Sequence, residues 1–157
     1  MDSRKRLYDT ILAEHLSSQR QMAFVSGPRQ VGKTTTCRNL SDEYLNWDNT
    51  DDRMQIVKGP ASIAERLDLN VLRESEPIAL FDELHKFSRW KQFLKGFFDT
   101  YADQVHILVT GSSRMDVYRR GGDSLMGRYF LYHMHPFSVA ETICQELPDT
   151  EQLVLIS

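Results

Sequence analysis

Apolar residues follow two rhythms along this 157-residue chain. Leu7, Ile11, Leu12 and Leu16 recur at helical spacing, and Met22 to Ser26 then form a short apolar strand that runs into a Gly/Pro turn. A second helix is predicted from near Gly32, and Tyr44 to Asp48 reads as a second strand ending in the polar run Asp48 to Asp52. Ser62 and Glu65 have capping-box spacing before Ile63, Ala64, Leu67 and Val71, which predicts a third helix. Pro77 breaks the chain, and Ile78 to Phe81 is an apolar run ending at Asp82 and Glu83. Such a run, without polar alternation, suits a strand buried on both faces of a parallel sheet. Trp90, Phe93, Leu94, Phe97, Phe98 and Tyr101 make one helical stripe, read as core packing against that sheet. Val105 to Thr110 and Tyr129 to His133 read as the fourth and fifth strands. Pro136 and the capping box Ser138/Glu141 open a last helix with Val139, Ile143 and Leu147. Strands alternating with helices imply a three-layer α/β sandwich with a mostly parallel sheet.

Composition narrows the class. With 19 Lys and Arg against 22 Asp and Glu the net charge is −3, which argues against a polycation that coats nucleic acid. No apolar run approaches the roughly 20 residues of a membrane helix, so no membrane partner is expected. The charged start MDSRKRLYDTILAEHL does not read as a signal peptide. Together with only Cys37 and Cys144 and no Cys-x-x-Cys, this points to the cytoplasm. Without repeats or linkers, residues 1–157 read as a single domain.

The chemistry begins at GPRQVGKT, Gly27 to Thr34, which matches G-x-x-x-x-G-K-[ST] between a strand and a helix. Gly27 and Gly32 let the backbone wrap closely, so that N–H groups of Gly27, Pro28 to Val31 (Pro28 excepted), Gly32 and the new helix point at a phosphate. Arg29, Gln30, Val31 and Thr35 complete the binding segment. Lys33 is expected to reach the β and γ oxygens, and the Thr34 hydroxyl to coordinate Mg²⁺. Asp82, at the tip of a buried strand, is placed to hold Mg²⁺ through water, and Glu83 beside it to orient and deprotonate an attacking water. Taken alone, the two carboxylates also read as a cap for a following helix.

Two further segments carry candidate chemistry. If the fourth strand lies between those bearing Gly27 and Asp82, Ser112, with Thr110 or Ser113, faces the γ-phosphate; otherwise these residues cap the helix near Met115. Arg114, Arg119, Arg120 and Arg128 are interleaved with Gly121, Gly122 and Gly127. Arg128 stands just before the fifth strand, where an arginine stabilises γ-phosphate charge from its own chain or from a neighbouring subunit. Arg119 and Arg120 read better as a solvated or nucleic-acid-facing loop.

Read together, these elements resemble the predicted prokaryotic AAA-type ATPases of the P-loop superclass with an additional catalytic glutamate. The matching pieces are GPRQVGKTT, YLNWD, IALFDELHKFSRWKQFLK, ILVTGSS, GGDSLMGRY and HPFSVAE. The resemblance implies a five-stranded α/β/α P-loop NTPase sheet of order 5-1-4-3-2, ATP as nucleotide, and Asp82 and Glu83 as the Walker B pair. It also implies Ser112 as a sensor-like residue and Arg128 at the position where AAA+ proteins place an arginine finger. Members of the family continue past the PFS segment into a helical lid and a further domain. This chain stops at Ser157, so the expectation is an ATPase core whose lid and further domain are absent.

Smaller signals lie beside these. His133 and His135 form His-x-His without an assignable third ligand, and Asp48, Asp51 and Asp52 fit a helix N-terminus better than a calcium loop. Cys37 reads as a small hydrophobe. The leading functional reading is Mg²⁺-dependent ATP hydrolysis, weak in the isolated chain, driving a conformational change in a homo-oligomer or in a protein or nucleic-acid partner. The alternatives are a small-molecule P-loop kinase with residues 114–128 as lid, and a nucleotide-gated interaction module with little turnover.

Overall fold

The computed structural model of the chain describes residues 6–112 and 125–138. The elements in order are α1 (Leu7–Ser18), β1 (Met22–Ser26), α2 (Lys33–Leu40), β2 (Glu43–Asn46), α3 (Thr50–Lys58), α4 (Pro60–Arg66) and β3 (Ile78–Asp82). A 3-10 turn (Leu84–Lys86), α5 (Trp90–Tyr101), β4 (His106–Thr110) and β5 (Tyr129–His133) follow. The strands form one sheet in the order β2-β3-β4-β1-β5, and every neighbouring pair is parallel. Read from β5, this is the expected 5-1-4-3-2. Among the described residues, no helix is long and apolar enough to cross a membrane.

Both faces of the sheet are covered, which is why β1 is buried at all five positions. Successive side chains point to opposite faces. Met22 and Phe24 therefore join a core with Phe81, Ile56, Ile63, Phe93 and Phe97 under α3, α4 and α5. Ala23 and Val25 join Leu12, Leu16, Cys37, Leu80 and Leu108 under α1 and α2. The aromatic stripe of α5 is core packing as expected: Phe81 meets Phe93 and Phe97 edge-on, with centroids 5.6 and 5.8 Å apart. Burying each such side chain contributes about 1.5–3 kcal/mol.

The helices between β2 and β3 depart from the expectation. β2 ends at Asn46 rather than Asp48, because the chain turns there into α3. Asn49 caps α3, its side chain accepting from the N–H groups of Asp51 and Asp52, which bears out the helix N-terminus read in the acidic run. The helix predicted from Ser62 to Val71 starts earlier, at Pro60, and ends at Arg66. Proline at the first helical position and Gly59 at φ 112° set that start, so the Ser62/Glu65 spacing lies inside the helix. Ser113, Arg114, Arg119, Arg120, Gly121, Gly122, Cys144 and most of the last predicted helix lie outside the described residues.

Candidate active site

Parallel strands bring their C-terminal tips to one end of the sheet, and three tips assemble the site. β1 leads into the glycine loop. Gly27 is packed so closely on the segment after β5 that a Cβ there would lie 2.3 Å from the Met134 carbonyl oxygen. Gln30 and Gly32 take φ of 64° and 91°, and Gly32 caps α2. The loop therefore doubles back and delivers Lys33 and Thr34 on the first turn of α2. Pro28, Arg29 and Gln30 are exposed and Val31 is buried, while Thr35 is exposed on the outer side of α2. Lys33 Nζ donates to the carbonyls of Gly27, at 2.9 Å, and Pro28, at 2.5 Å. Burial pushes the Lys33 pKa down, and the charges of Glu83 and Asp82 oppose that shift.

Asp82 ends β3 and is only 7% exposed. Its carboxylate accepts three hydrogen bonds. Thr110 Oγ1, at the tip of β4, donates to Oδ1 at 2.6 Å. Thr34 Oγ1 and the Tyr44 hydroxyl donate to Oδ2 at 3.1 and 2.7 Å. The Thr34 hydroxyl and the Asp82 carboxylate thus stand together as hard oxygen donors, the set that suits Mg²⁺ held partly through water. Helix α2 begins at the same place, and the first N–H groups of a helix have no partner within it, which suits a phosphate.

Glu83 follows directly, with φ 58°, a left-handed conformation for a residue other than glycine. Its N–H donates to the Thr110 carbonyl at 3.1 Å, so the β3–β4 ladder runs one residue past Asp82 before the chain turns. The carboxylate faces the Lys86 ammonium at 3.2 Å and the His85 ring at 3.8 Å. The alternative in which these carboxylates merely cap a helix does not fit Asp82, which is turned into the strand tips, nor Glu83, whose side chain makes no capping bond to the turn that follows.

Gly111 N–H donates to Val25 O at 3.2 Å, which seats the chain after β4 beside the end of β1, and half-buried Ser112 comes next. The condition set on the sequence is met, since β4 lies between β1 and β3. Thr110 itself is fully buried and spends its hydroxyl on Asp82.

Arg128 is at the other end of the sheet. Its carbonyl accepts from Met22 N–H at 2.8 Å, at the start of β1, so the five residues of β1 separate it from the glycine loop. At about 3.3 Å per residue this is on the order of 15 Å. The reading in which Arg128 serves its own chain's phosphate site is therefore corrected. Its guanidinium is held in a two-pronged pair by Asp99 of α5, at 2.7 and 3.1 Å, and that contact draws the Asp99 pKa down.

Three participants escaped the sequence reading. Tyr44 was visible only as a strand residue. Lys86 sits in a turn without periodicity, and the Arg6 guanidinium reaches groups distant in sequence, at Val31 and His135. Arg6 is 5% exposed and donates to the loop carbonyl of Val31 at 2.7 Å and to His135 O at 2.8 Å, while its guanidinium lies 3.8 Å from the Phe137 ring centroid. It straps the glycine loop to the chain beyond β5. Cys37 packs as a buried small hydrophobe, its thiol pushed up to about 12 chiefly by burial.

A parallel α/β/α sheet with a strand–glycine loop–helix unit on β1 and an Asp-Glu pair at the tip of β3, the next strand but one, defines a P-loop NTPase of the AAA type. The chain belongs to the AAA domain family, which matches over residues 19–143. Among solved structures it is similar to the Caenorhabditis protein described as "Structure of C. elegans PCH-2", at 16% identity and a TM-score of 0.55. That alignment covers 88% of this chain and 44% of the other, so the chain spans under half the length of this structural relative. At that identity the likeness concerns the fold. No curated protein matches the sequence.

Proposed function

We propose that the chain binds ATP with Mg²⁺ and hydrolyses the γ-phosphate, as the core of an ATPase whose turnover depends on assembly. The observation that carries this reading is the meeting of Thr34, Asp82 and Glu83 at adjoining strand and helix tips. When bound, the metal ion would neutralise phosphate charge as the γ-phosphoryl group departs. Lys33 exchanges its bonds to the loop carbonyls for phosphate oxygens, a move its position at the start of α2 allows. Thr34 and Asp82 are the residues that would hold the ion, with the Asp82 carboxylate kept in place by the Thr110 and Tyr44 hydroxyls. Glu83 orients the attacking water and takes its proton. Ser112 is the candidate sensor of the γ-phosphate. Arg128, remote from its own site, is proposed to act on the site of a second copy, which would make the isolated chain slow.

The test is phosphate release with Mg²⁺ across protein concentration, beside Lys33→Ala and Glu83→Gln. Turnover should rise more than linearly with concentration. Lys33→Ala should lose nucleotide binding, whereas Glu83→Gln should bind ATP and not release phosphate. Unchanged release in Glu83→Gln would refute the reading. The partner in which hydrolysis drives change, a protein or a nucleic acid, is open to capture experiments with Glu83→Gln in its ATP-bound state.

A further inference from the structure

Lys86 makes two ionic contacts at once. Its ammonium lies 2.7 and 2.9 Å from the two carboxylate oxygens of Asp48 and 3.2 Å from Oε2 of Glu83. An exposed ion pair contributes little when its long side chain must be ordered for the purpose. Here both ends are braced by neighbours. Trp47, beside Asp48, stacks on Phe87, beside Lys86, with centroids 4.7 Å apart and planes 17° from parallel. Trp47 N–H also donates to Asp82 O at 3.0 Å, which extends the β2–β3 pairing up to the turn, and Asp48 N–H donates to Asn46 Oδ1 at 3.0 Å. On the other side, the 3-10 turn fixes Lys86, whose N–H donates to Glu83 O at 3.1 Å. The ring stack and the ion pair are thus consecutive rungs between the β2–α3 turn and the segment that carries Glu83.

We propose that Lys86 is a positioning residue for the Glu83 carboxylate and that Asp48 anchors it, so that the β2–α3 turn sets the aim of the general base. This rests on the ATPase reading above. Glu83 leaves β3 through a strained left-handed backbone, so its side chain needs an external hold to keep one direction. His85 does not supply it near neutral pH, since burial pushes its pKa down and leaves the ring uncharged. Lys86 stays charged, its pKa raised chiefly by the bond to Asp48.

The experiment compares wild type with Lys86→Met, Lys86→Arg, Asp48→Asn and Glu83→Gln. Lys86→Met should lower kcat about tenfold, while KM and the Kd for a fluorescent ATP analogue stay within about twofold. Lys86→Arg, which keeps the charge and grips Asp48 with two donors, should recover to within about threefold of wild type. Asp48→Asn should lower kcat by itself but add little in the Lys86→Met background. A kcat for Lys86→Met within about twofold of wild type, or a Kd that moves in step with kcat, overturns the proposal. A second measurement does not need turnover: nitrogen-15 spectra of the lysine side chains in the free protein. The Lys86 ammonium should exchange slowly in wild type and fast in Asp48→Asn. Fast exchange in wild type overturns the clamp. Loss of Glu83-dependent hydrolysis in wild type, with slow exchange intact, would instead overturn the ATPase reading alone.

Discussion

Tyr44 on β2 donates to the same oxygen of Asp82, Oδ2, that Thr34 of the glycine loop uses, at 2.7 against 3.1 Å. The bond from Tyr44 is the shorter of the two. Burial and the Asp82 hydrogen bond both push the Tyr44 pKa up, so it remains a donor across the working range of pH. Arg38 lies over its ring at 4.4 Å and holds it in place.

Tyr44→Phe should therefore loosen Asp82 without touching the glycine loop. A lost hydrogen bond to a charged group predicts about 1.5–3 kcal/mol of destabilisation. In a metal titration of nucleotide binding, the variant should need several-fold more Mg²⁺, about five- to tenfold, while metal-free nucleotide affinity stays unchanged. An unaltered Mg²⁺ requirement would show that Tyr44 is only a packing residue.

Gly27→Ala meets a backbone obstacle. Its methyl would fall 2.3 Å from the Met134 carbonyl oxygen, which cannot swing aside as a side chain can. Urea denaturation should show about 1–3 kcal/mol of lost stability, as for overpacked sites. ATP binding should weaken with it, because the loop must move away from the strand tips.

His15 predicts how stability depends on pH. It is 3% exposed, and because a carbonyl only accepts, the Nε2–H donates to Gln21 O at 2.7 Å and Nδ1 accepts from the Tyr132 hydroxyl at 2.8 Å. Burial lowers its folded pKa below the ordinary 6.5. Below 6.5 the unfolded chain binds the extra proton first, so this contribution is full above 6.5 and is lost as pH falls toward the folded value. Urea midpoints should fall as the pH is lowered below 6.5, and His15→Gln should flatten that part of the profile. An equal slope in the variant would place the titration elsewhere.

Arg128 and Asp99 face away from the site of their own chain, which permits a complementation test. Arg128→Ala should lower turnover about 10³-fold or more without changing ATP affinity. Mixing Arg128→Ala with Lys33→Ala, each inactive alone, should restore activity if an intact arginine from one copy completes the intact site of another. No recovery at any mixing ratio would rule out action between copies.

The local code was strong enough to reveal the glycine loop, the buried strands and the α5 stripe. Each is set by residues close in sequence: Gly27 and Gly32 at a fixed spacing, an unbroken Ile78–Phe81 run, and aromatic residues every third or fourth position. Helix boundaries between β2 and β3 were less legible because Ser62/Glu65 mimics a start that Pro60 supplies two residues earlier. The roles of Tyr44, Lys86 and Arg6 were hidden for another reason. Their partners lie 38, 38 and 129 residues away, at Asp82, Asp48 and His135.

From composition and pattern alone the chain was already bound to be an alternating α/β protein with a phosphate loop, since turn glycines, apolar runs and strand-end carboxylates act over a few residues. Strand order came with the family resemblance and is realised in the all-parallel sheet. The tertiary structure alone decided which end of that sheet each side chain occupies. Asp82 and Arg128 both flank strands, yet one ends β3 and the other precedes β5, and in a parallel sheet those are opposite edges of the molecule. Side-chain reach is a few ångströms, so this placement, rather than residue type, separates the groups that meet at the glycine loop from those at the far end of the sheet.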